Sequence, residues 1–374
     1  MSTTLIIDSS KYMYHAAYGC WQNDKKFLTK MSDKKRFIKK YMKELGDVIK
    51  LNSFAKRVVI ATDSRRSWRH EIPSDFEYKG NRKKKKENKF DFGLLNEVMR
   101  EVEEIMVEKN ICVFSVPGAE GDDIMAIVSQ VLFDRGESSV LITNDGDMKQ
   151  CVKHHEKGHF VATYSPDKET YYVSSLQEDK PKVDPFEALF EGLSMDDPFS
   201  SMEPKELVNP VLVLFEKLVA GDPKDNIPSI YYRPYGKGTA RITEDRANIL
   251  WAKYDIASHI DTVDRFLREM GMKDGVIRNL IHSIKLMYPR KSGEDDVKTI
   301  AKNIVRNLRF LCLHKSIYDN MELSKDMYQK IVGKMDEKTF GAGVKALTVN
   351  PLDIFDGTKY DFGEYKDSVY YKNA

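Results

Sequence analysis

The chain has 374 residues, of which 41% are hydrophobic and 32% charged, with a formal net charge of +2 at pH 7. That length suits a catalytic domain with a smaller companion, and the apolar share is enough to build packed cores. No apolar run of membrane-spanning length and no signal-peptide pattern in MSTTLIIDSS appear, so an intracellular protein with no membrane span is expected.

The four cysteines, Cys20, Cys112, Cys151 and Cys312, are too scattered for a zinc ribbon or a disulfide framework, and reduced thiols are expected. Charge is segregated along the chain. Lys25 to Lys43 carries nine basic residues against Asp33, and Lys79 to Lys89 carries seven against Glu87. Ser175 to Glu206 reverses this, with nine acids against three lysines. A polyanionic partner on one face follows.

The first half alternates β-branched runs with amphipathic stretches, which predicts an α/β fold with a mainly parallel sheet wrapped by helices. Strands are expected at Thr4–Ile7, Arg57–Thr62, Ile111–Val116 and Val140–Thr143. Between them, one helical face carries Phe37, Tyr41, Leu45, Val48 and Ile49, a second Leu94, Val98, Val102 and Ile105, and a third Ile124, Ile127, Val131 and Leu132 before Gly136. A hairpin of His159–Tyr164 and Thr170–Val173 turns at Ser165-Pro166-Asp167-Lys168. Helices then dominate at Leu207–Ala220, Ala240–Ala252, Asp261–Met270 and Val297–Leu313. The expected division is a core over 1–174 with a basic segment at about 64–92, an acidic insertion over 175–205, a mainly helical part over 206–350, and an aromatic tail over 351–374 that packs on the body or docks a partner.

In an open α/β sheet the site lies beyond the carboxyl ends of the strands. Here that rim is acidic. Asp8 ends LIID, Asp63 ends RVVIATD, and Glu120, Asp122 and Asp123 lie in PGAEGDD. Asp145 and Asp147 lie in TNDGD, and Asp222 and Asp225 in GDPKDN after an apolar stretch. Alone, each is a turn residue or helix cap. Together they repel and protonate unless cations neutralise them. Oxygen-only ligands select a hard cation, magnesium or manganese, and two such ions suit phosphodiester hydrolysis. Asp122, Asp145 and Asp147, on neighbouring loops, are expected to cage the catalytic ion, with Asp222 and Asp225 reaching in from the helical part. His154, His155 and His159 have no cysteine at ligand spacing and are assigned to the hairpin. Neither a Ser/His/Asp motif nor a Walker-type phosphate loop is found.

The basic segment begins directly after Asp63, which sets its cations where a phosphate backbone would enter. LIIDSS, IATDSRRSWRHEI, YKGNR, GAEGDD, NDGDMKQ and GDPKDNIPS, in this order, resemble the flap endonuclease family of 5′-nucleases, with the ribonuclease H enzymes of T-even-type bacteriophages the nearest likeness. The resemblance spans roughly residues 4–230 and rests on six motifs.

It implies a PIN-like (5′-nuclease) core with two Mg2+ ions, replaceable by Mn2+, on Asp8, Asp63, Glu120, Asp122, Asp145, Asp147, Asp222 and Asp225. Asp123 is given a place at a helix start behind them. The basic segment resembles the family's arch. Lys79 and Arg82 would then act at the scissile phosphate and Tyr78 would stack on a base. Apart from the resemblance, His70 beside Arg69 is read as a phosphate contact, with Arg69 a further nucleic-acid contact. Lys83, Lys84, Lys85 and Lys86 would grip the backbone without reading sequence. After GDPKDNIPS the family normally turns quickly through glycines onto duplex DNA. Here SIYYRPYGKGTARIT sets Gly236-Lys237-Gly238 further along, with Lys237 the candidate contact.

The implied function is a structure-selective 5′-3′ exonuclease and flap endonuclease, with ribonuclease H activity, that removes RNA primers or flaps during DNA replication. Its expected substrates are branched DNA, flaps and RNA·DNA hybrids. The expected setting is a monomer in the cytoplasm, that of the host cell for a viral protein, with a single-strand-binding protein or a sliding clamp as partner. Two alternatives stay open: a PIN-type ribonuclease, and a non-catalytic relative that binds branched DNA.

Overall fold

The computed structural model describes residues 2–21, 24–81, 91–175, 202–235, 238–260, 262–271 and 296–363. Arg82, Lys83, Lys84, Lys85, Lys86 and Lys237, most of the acidic segment and the end of the aromatic tail lie outside them. β1 (Thr3–Asp8) takes the centre of the sheet because TTLIID is apolar toward both faces, and Leu5, Ile6 and Ile7 are fully buried. β2 (Arg57–Ala61) and β4 (Ser138–Ile142) flank it in parallel, with Asp8 opposite Ala61 and Ile7 opposite Ile142.

The full order is β3 (Val113–Phe114), β2, β1, β4, β6 (Phe160–Ser165), β7 (Thr170–Ser174) and β8 (Lys205–Val208), with β5 (Lys153–His154) antiparallel on β6. The other neighbours are parallel except the hairpin pair β6 and β7. From β1 the order steps one way to β2 and the other way to β4, so the loops leaving β1 and β4 diverge and open a crevice at their carboxyl ends.

Side chains alternate between the two faces. Leu5 and Ile7 point toward α1 (Ser9–Cys20), α2 (Met31–Leu51) and α3 (Phe92–Glu108), whereas Ile6 points toward α4 (Gly121–Asp134). The predicted face of α2 is buried, with Phe37, Tyr41 and Leu45 fully inaccessible. A third core joins α5 (Pro210–Ala220), α6 (Glu244–Lys253), α7 (Ile256–His259), α8 (Val263–Gly271) and α9 (Asp296–Leu311). α10 (Lys315–Asn320) and α11 (Glu322–Met335) return to the sheet face beside α4, and α12 (Val344–Val349) packs on α2. Phe355, Tyr360 and Phe362 are sunk in the same core as α2, each burial contributing about 1.5–3 kcal/mol.

Three expectations are corrected. The helix read from Leu207 starts only at Pro210. Pro210 holds Asn209 extended, so Lys205–Val208 pairs as an edge strand and the Asn209 side chain accepts from the Val211 and Leu212 amides. The stretch read as a helix from Ala240 is a strand up to Arg241 and becomes helical at Glu244. In place of a glycine-rich turn between helices, β9 (Tyr232–Tyr235) and β10 (Gly238–Arg241) form an antiparallel pair. The strand expected at Ile111–Val116 shortens to Val113–Phe114. Among the described residues no helix is long and apolar enough to cross a membrane.

Candidate metal centre

Register places the acids. Asp8 closes β1 and caps α1, accepting from the Lys11 amide at 3.3 Å and from Thr143 Oγ1 at 3.0 Å. Asp63 lies two residues past Ala61, Asp8's partner in the sheet. Its carboxylate accepts from Ser10 Oγ at 2.6 Å and from the Gly121 amide at 2.7 Å. A Cβ at Gly121 would sit 3.3 Å from that carboxylate, so the missing side chain lets Asp63 close on the start of α4. Asp122 follows in the first turn of α4, and Asp145 caps the turn Gly146–Cys151 just after β4.

Among the described residues, Asp8, Asp63, Asp122 and Asp145 form no ion pair with any cation. The consequence is electrostatic. Burial and then the charges of Asp145, Asp8, Asp63 and Glu120 push Asp122 well above the usual carboxylate range. Burial and Asp63 push Asp8 up to about 6. Ionised together, these groups repel one another, and a multivalent cation removes that repulsion.

The other predicted ligands do have cations. Glu120 pairs with Lys79 Nζ and accepts from Arg69 Nη1 at 3.1 Å and from Tyr78 Oη at 2.9 Å. Burial opposes its charge, but Arg69 and Lys79 hold it below the ordinary range. Asp225 receives the second Tyr78 contact at 3.2 Å and lies 4.0 Å from Lys79 Nζ. Lys217 Nζ lies 2.9 Å from Asp147 and 3.1 Å from Asp222. Asp147 therefore groups with Asp222, apart from the Asp122 and Asp145 pair with which the sequence grouped it. Burial and Asp145 still raise it to about 6, against the pull of Lys217.

The loop carrying Asp222 and Asp225 leaves α5 at Gly221, whose φ of 74° and close approach admit glycine alone, since a Cβ there would sit 2.5 Å from the Ile227 carbonyl oxygen. The YKGN segment clasps this loop. Lys79 takes the left-handed region at φ 55° and donates its amide to Asp225 O at 2.8 Å. Asn81 Nδ2 donates to Pro223 O at 2.7 Å, and Asn226 Nδ2 to Glu77 O at 2.8 Å.

Two predicted nucleic-acid contacts face inward instead. Arg69 is 3% exposed, its guanidinium spent on Asp123, Glu120 and the Phe310 carbonyl, so it is no surface phosphate contact. Tyr78 is 6% exposed and packs against His70 and Phe310 with its hydroxyl between Glu120 and Asp225, which leaves no face open for a base. Asp123, fully buried, accepts from the Glu120 amide at 2.9 Å and from Trp68 Nε1 at 3.2 Å, behind the rim at the helix start. His155 and His159 stack at 4.5 Å beside Phe133 in the hairpin region.

Thr143, Ser10, Asn81, Asn226 and Lys217 are absent from the sequence-based set. Ser10, Asn81 and Asn226 lie within LIIDSS, YKGNR and GDPKDNIPS and Thr143 ends a predicted strand, whereas Lys217 belongs to none of the motifs. Among the described residues no three His, Cys, Asp or Glu side chains are closed around one point. The acids line one rim, and Lys79 or Lys217 stands beside half of them. The donor set is all carboxylate, which fits hard divalent ions, and its uncompensated half is what such an ion would neutralise.

Residues 3–180 match the family model described as 5′-3′ exonuclease, N-terminal resolvase-like domain. A 5′-3′ exonuclease of Buchnera aphidicola subsp. Acyrthosiphon pisum (strain APS) is 28% identical over 176 residues, 45% of this chain and 57% of the relative. One of Buchnera aphidicola subsp. Schizaphis graminum (strain Sg) is 28% identical over 152 residues, 40% of this chain and 48% of the relative. The chain thus spans about half the length of these curated relatives. Among solved structures, the flap endonuclease of bacteriophage T5 in a pseudo-enzyme–product complex with DNA and metal ions matches with a TM-score of 0.52 and 16% identity, over 90% of this chain and all of that one. The T5 5′-exonuclease with zinc bound gives 0.51 and 17%, over 89% of this chain. These likenesses establish a shared fold, and over residues 3–180 the chain is similar to the N-terminal domain of 5′-3′ exonucleases.

Proposed function

We propose that this chain is a divalent-metal-dependent 5′-nuclease, a phosphodiester hydrolase acting as 5′-3′ exonuclease and flap endonuclease. The observation that carries it is the set of four carboxylates, Asp8, Asp63, Asp122 and Asp145, gathered at the sheet's switch point without a cation partner among the described residues. Asp8, Asp63, Asp122 and Asp145 would hold an inner ion, and Asp147, Asp222, Asp225 and Glu120 an outer one. Bound there, magnesium supplies a doubly charged Lewis acid for the charge developing on the phosphate.

The chain's own groups supply position. Lys79, held by Glu120 at the rim, offers a positive charge where an incoming phosphate would lie. Tyr78 keeps Glu120 and Asp225 from turning away from the rim, and Arg69 fixes Glu120 from behind. The core over 1–174 would cut, and the helical part over 206–350 would hold duplex. Ribonuclease H activity, removal of RNA primers or flaps in replication, and a single-strand-binding protein or sliding clamp as partner belong to the same proposal and rest on the motif resemblance alone. The family match over 3–180 supports this over a PIN-type ribonuclease, and the intact acid set supports it over a non-catalytic relative.

The test is an end-labelled flap, a nicked duplex and an RNA·DNA hybrid, each with magnesium, manganese or chelator. Metal-dependent release of short 5′ products is expected. A chain that binds the flap but cuts none of the three in either metal would sink the proposal.

A further inference from the structure

Lys217 lies on the last turn of α5, where LVLFEKLVA buries its apolar face and leaves this lysine to point at the rim. Its ammonium sits between two carboxylates from different parts of the chain, Asp147 of the core at 2.9 Å and Asp222 of the helical part at 3.1 Å. The three groups are largely enclosed, with side-chain exposures of 19% for Lys217, 21% for Asp147 and 6% for Asp222. Asp222 is further fixed by the Lys224 amide at 2.7 Å and by its backbone pairing with Ile227.

An ammonium needs nearly 3 Å to each oxygen, whereas magnesium binds its oxygens at about 2.0–2.1 Å. Both cannot occupy the space between the same two carboxylates, and the charges of lysine and metal repel at that distance. We propose that Lys217 is a built-in counter-ion that stands in for the outer cation in the metal-free protein, so that the outer ion binds only by displacing it. This rests on the metal-dependent reading of the same rim. Two consequences follow for the chain itself. Lys217 joins the core to the helical part before any metal arrives, and it sets the outer position weaker than the inner one, whose acids Asp8, Asp63, Asp122 and Asp145 have no such competitor.

The experiment is Mn2+ binding to the full chain without substrate, followed by titration calorimetry and by the loss of the free-ion paramagnetic resonance signal, in wild type, Lys217→Met and Lys217→Arg. Wild type should show a tighter and a weaker class of site. Lys217→Met, which keeps length and loses charge, should tighten the weaker class by about tenfold or more and leave the tighter one unchanged. Lys217→Arg, still cationic, should resemble wild type. Without metal, Lys217→Met should melt below wild type, because Asp147 and Asp222 lose their cation, and Mn2+ should restore it. A weaker class that is unchanged or poorer in a folded Lys217→Met overturns the counter-ion role while leaving the nuclease reading intact. A folded wild type that takes up no Mn2+ overturns that reading first, and this inference with it.

Discussion

The rim holds two kinds of acid. Asp8, Asp63, Asp122 and Asp145 come from the core, at the ends of β1, β2 and β4 and the start of α4, and among the described residues no cation pairs with them. Glu120, Asp147, Asp222 and Asp225 lie toward the helical part, and Lys79 or Lys217 stands within 4.0 Å of each. In the first set, burial and mutual repulsion raise Asp122 and Asp8. In the second, Arg69 and Lys79 hold Glu120 down, and Lys217 offsets part of what raises Asp147. The strand-end set is left for an external ion to neutralise, whereas the set shared with the loop after α5 has lysines within reach.

The largest effect expected from this contrast is on hydrolysis. Asp122→Asn or Asp145→Asn removes a charged oxygen with little change of shape. It should cut single-turnover cleavage in magnesium by more than about 100-fold, the upper end of what losing an outer-shell partner costs at metal sites. Asp222→Asn should leave measurable cleavage that recovers partly at high magnesium. Flap binding in calcium should persist in all three, since each change deletes a negative charge facing phosphate. Near wild-type cleavage by a folded Asp145→Asn would dissolve the distinction between the two sets.

Next comes Lys79→Ala, which frees Glu120 and removes a cation at the rim. Single-turnover rates should drop by about 10²–10³ while the dissociation constant for the flap changes much less. Equal losses in both would make Lys79 a general grip on the backbone. Tyr78→Phe separates two roles cleanly. The ring is kept, so a base-stacking tyrosine would tolerate it. A tyrosine whose hydroxyl proton is shared between Glu120 and Asp225 loses that hydrogen bond, and thermal unfolding should register about 1–3 kcal/mol of lost stability.

All eight acids were legible because each ends a β-branched run or opens a turn, positions that short spacing reveals. Their partners were not. Tyr78 meets Asp225 across 147 residues, Arg69 meets the Phe310 carbonyl across 241, and no local pattern reports such contacts. Arg69 read as surface because SRRSWRH is basic, yet its burial is set by the return of α9 onto the sheet. The α/β core followed from periodicity, since strands apolar on both faces between amphipathic helices have few other arrangements. The β9 and β10 pair and the edge strand β8 escaped, because short segments take their state from neighbours more than from propensity.

The smallest expected effect is on stability against pH, and it reads the contrast without any substrate. Burial and Asp63 raise native Asp8 to about 6 from 3.8, and burial and Asp145 raise native Asp147 likewise to about 6. Between those values the native state keeps protons that the unfolded chain has released. Protonation therefore favours the folded form at low pH, and that contribution is lost as pH rises through about 6. In chelator the melting temperature should fall between about pH 4 and pH 6, by about 2–4 °C for each kcal/mol lost. Asp8→Asn removes a titrating group from the uncompensated set and should flatten the slope. Saturating magnesium should invert it, because a bound cation stabilises the ionised carboxylates and reverses the sign of their contribution. A slope that is the same with chelator, with magnesium and in Asp8→Asn would mean that these carboxylates do not repel one another in the folded protein.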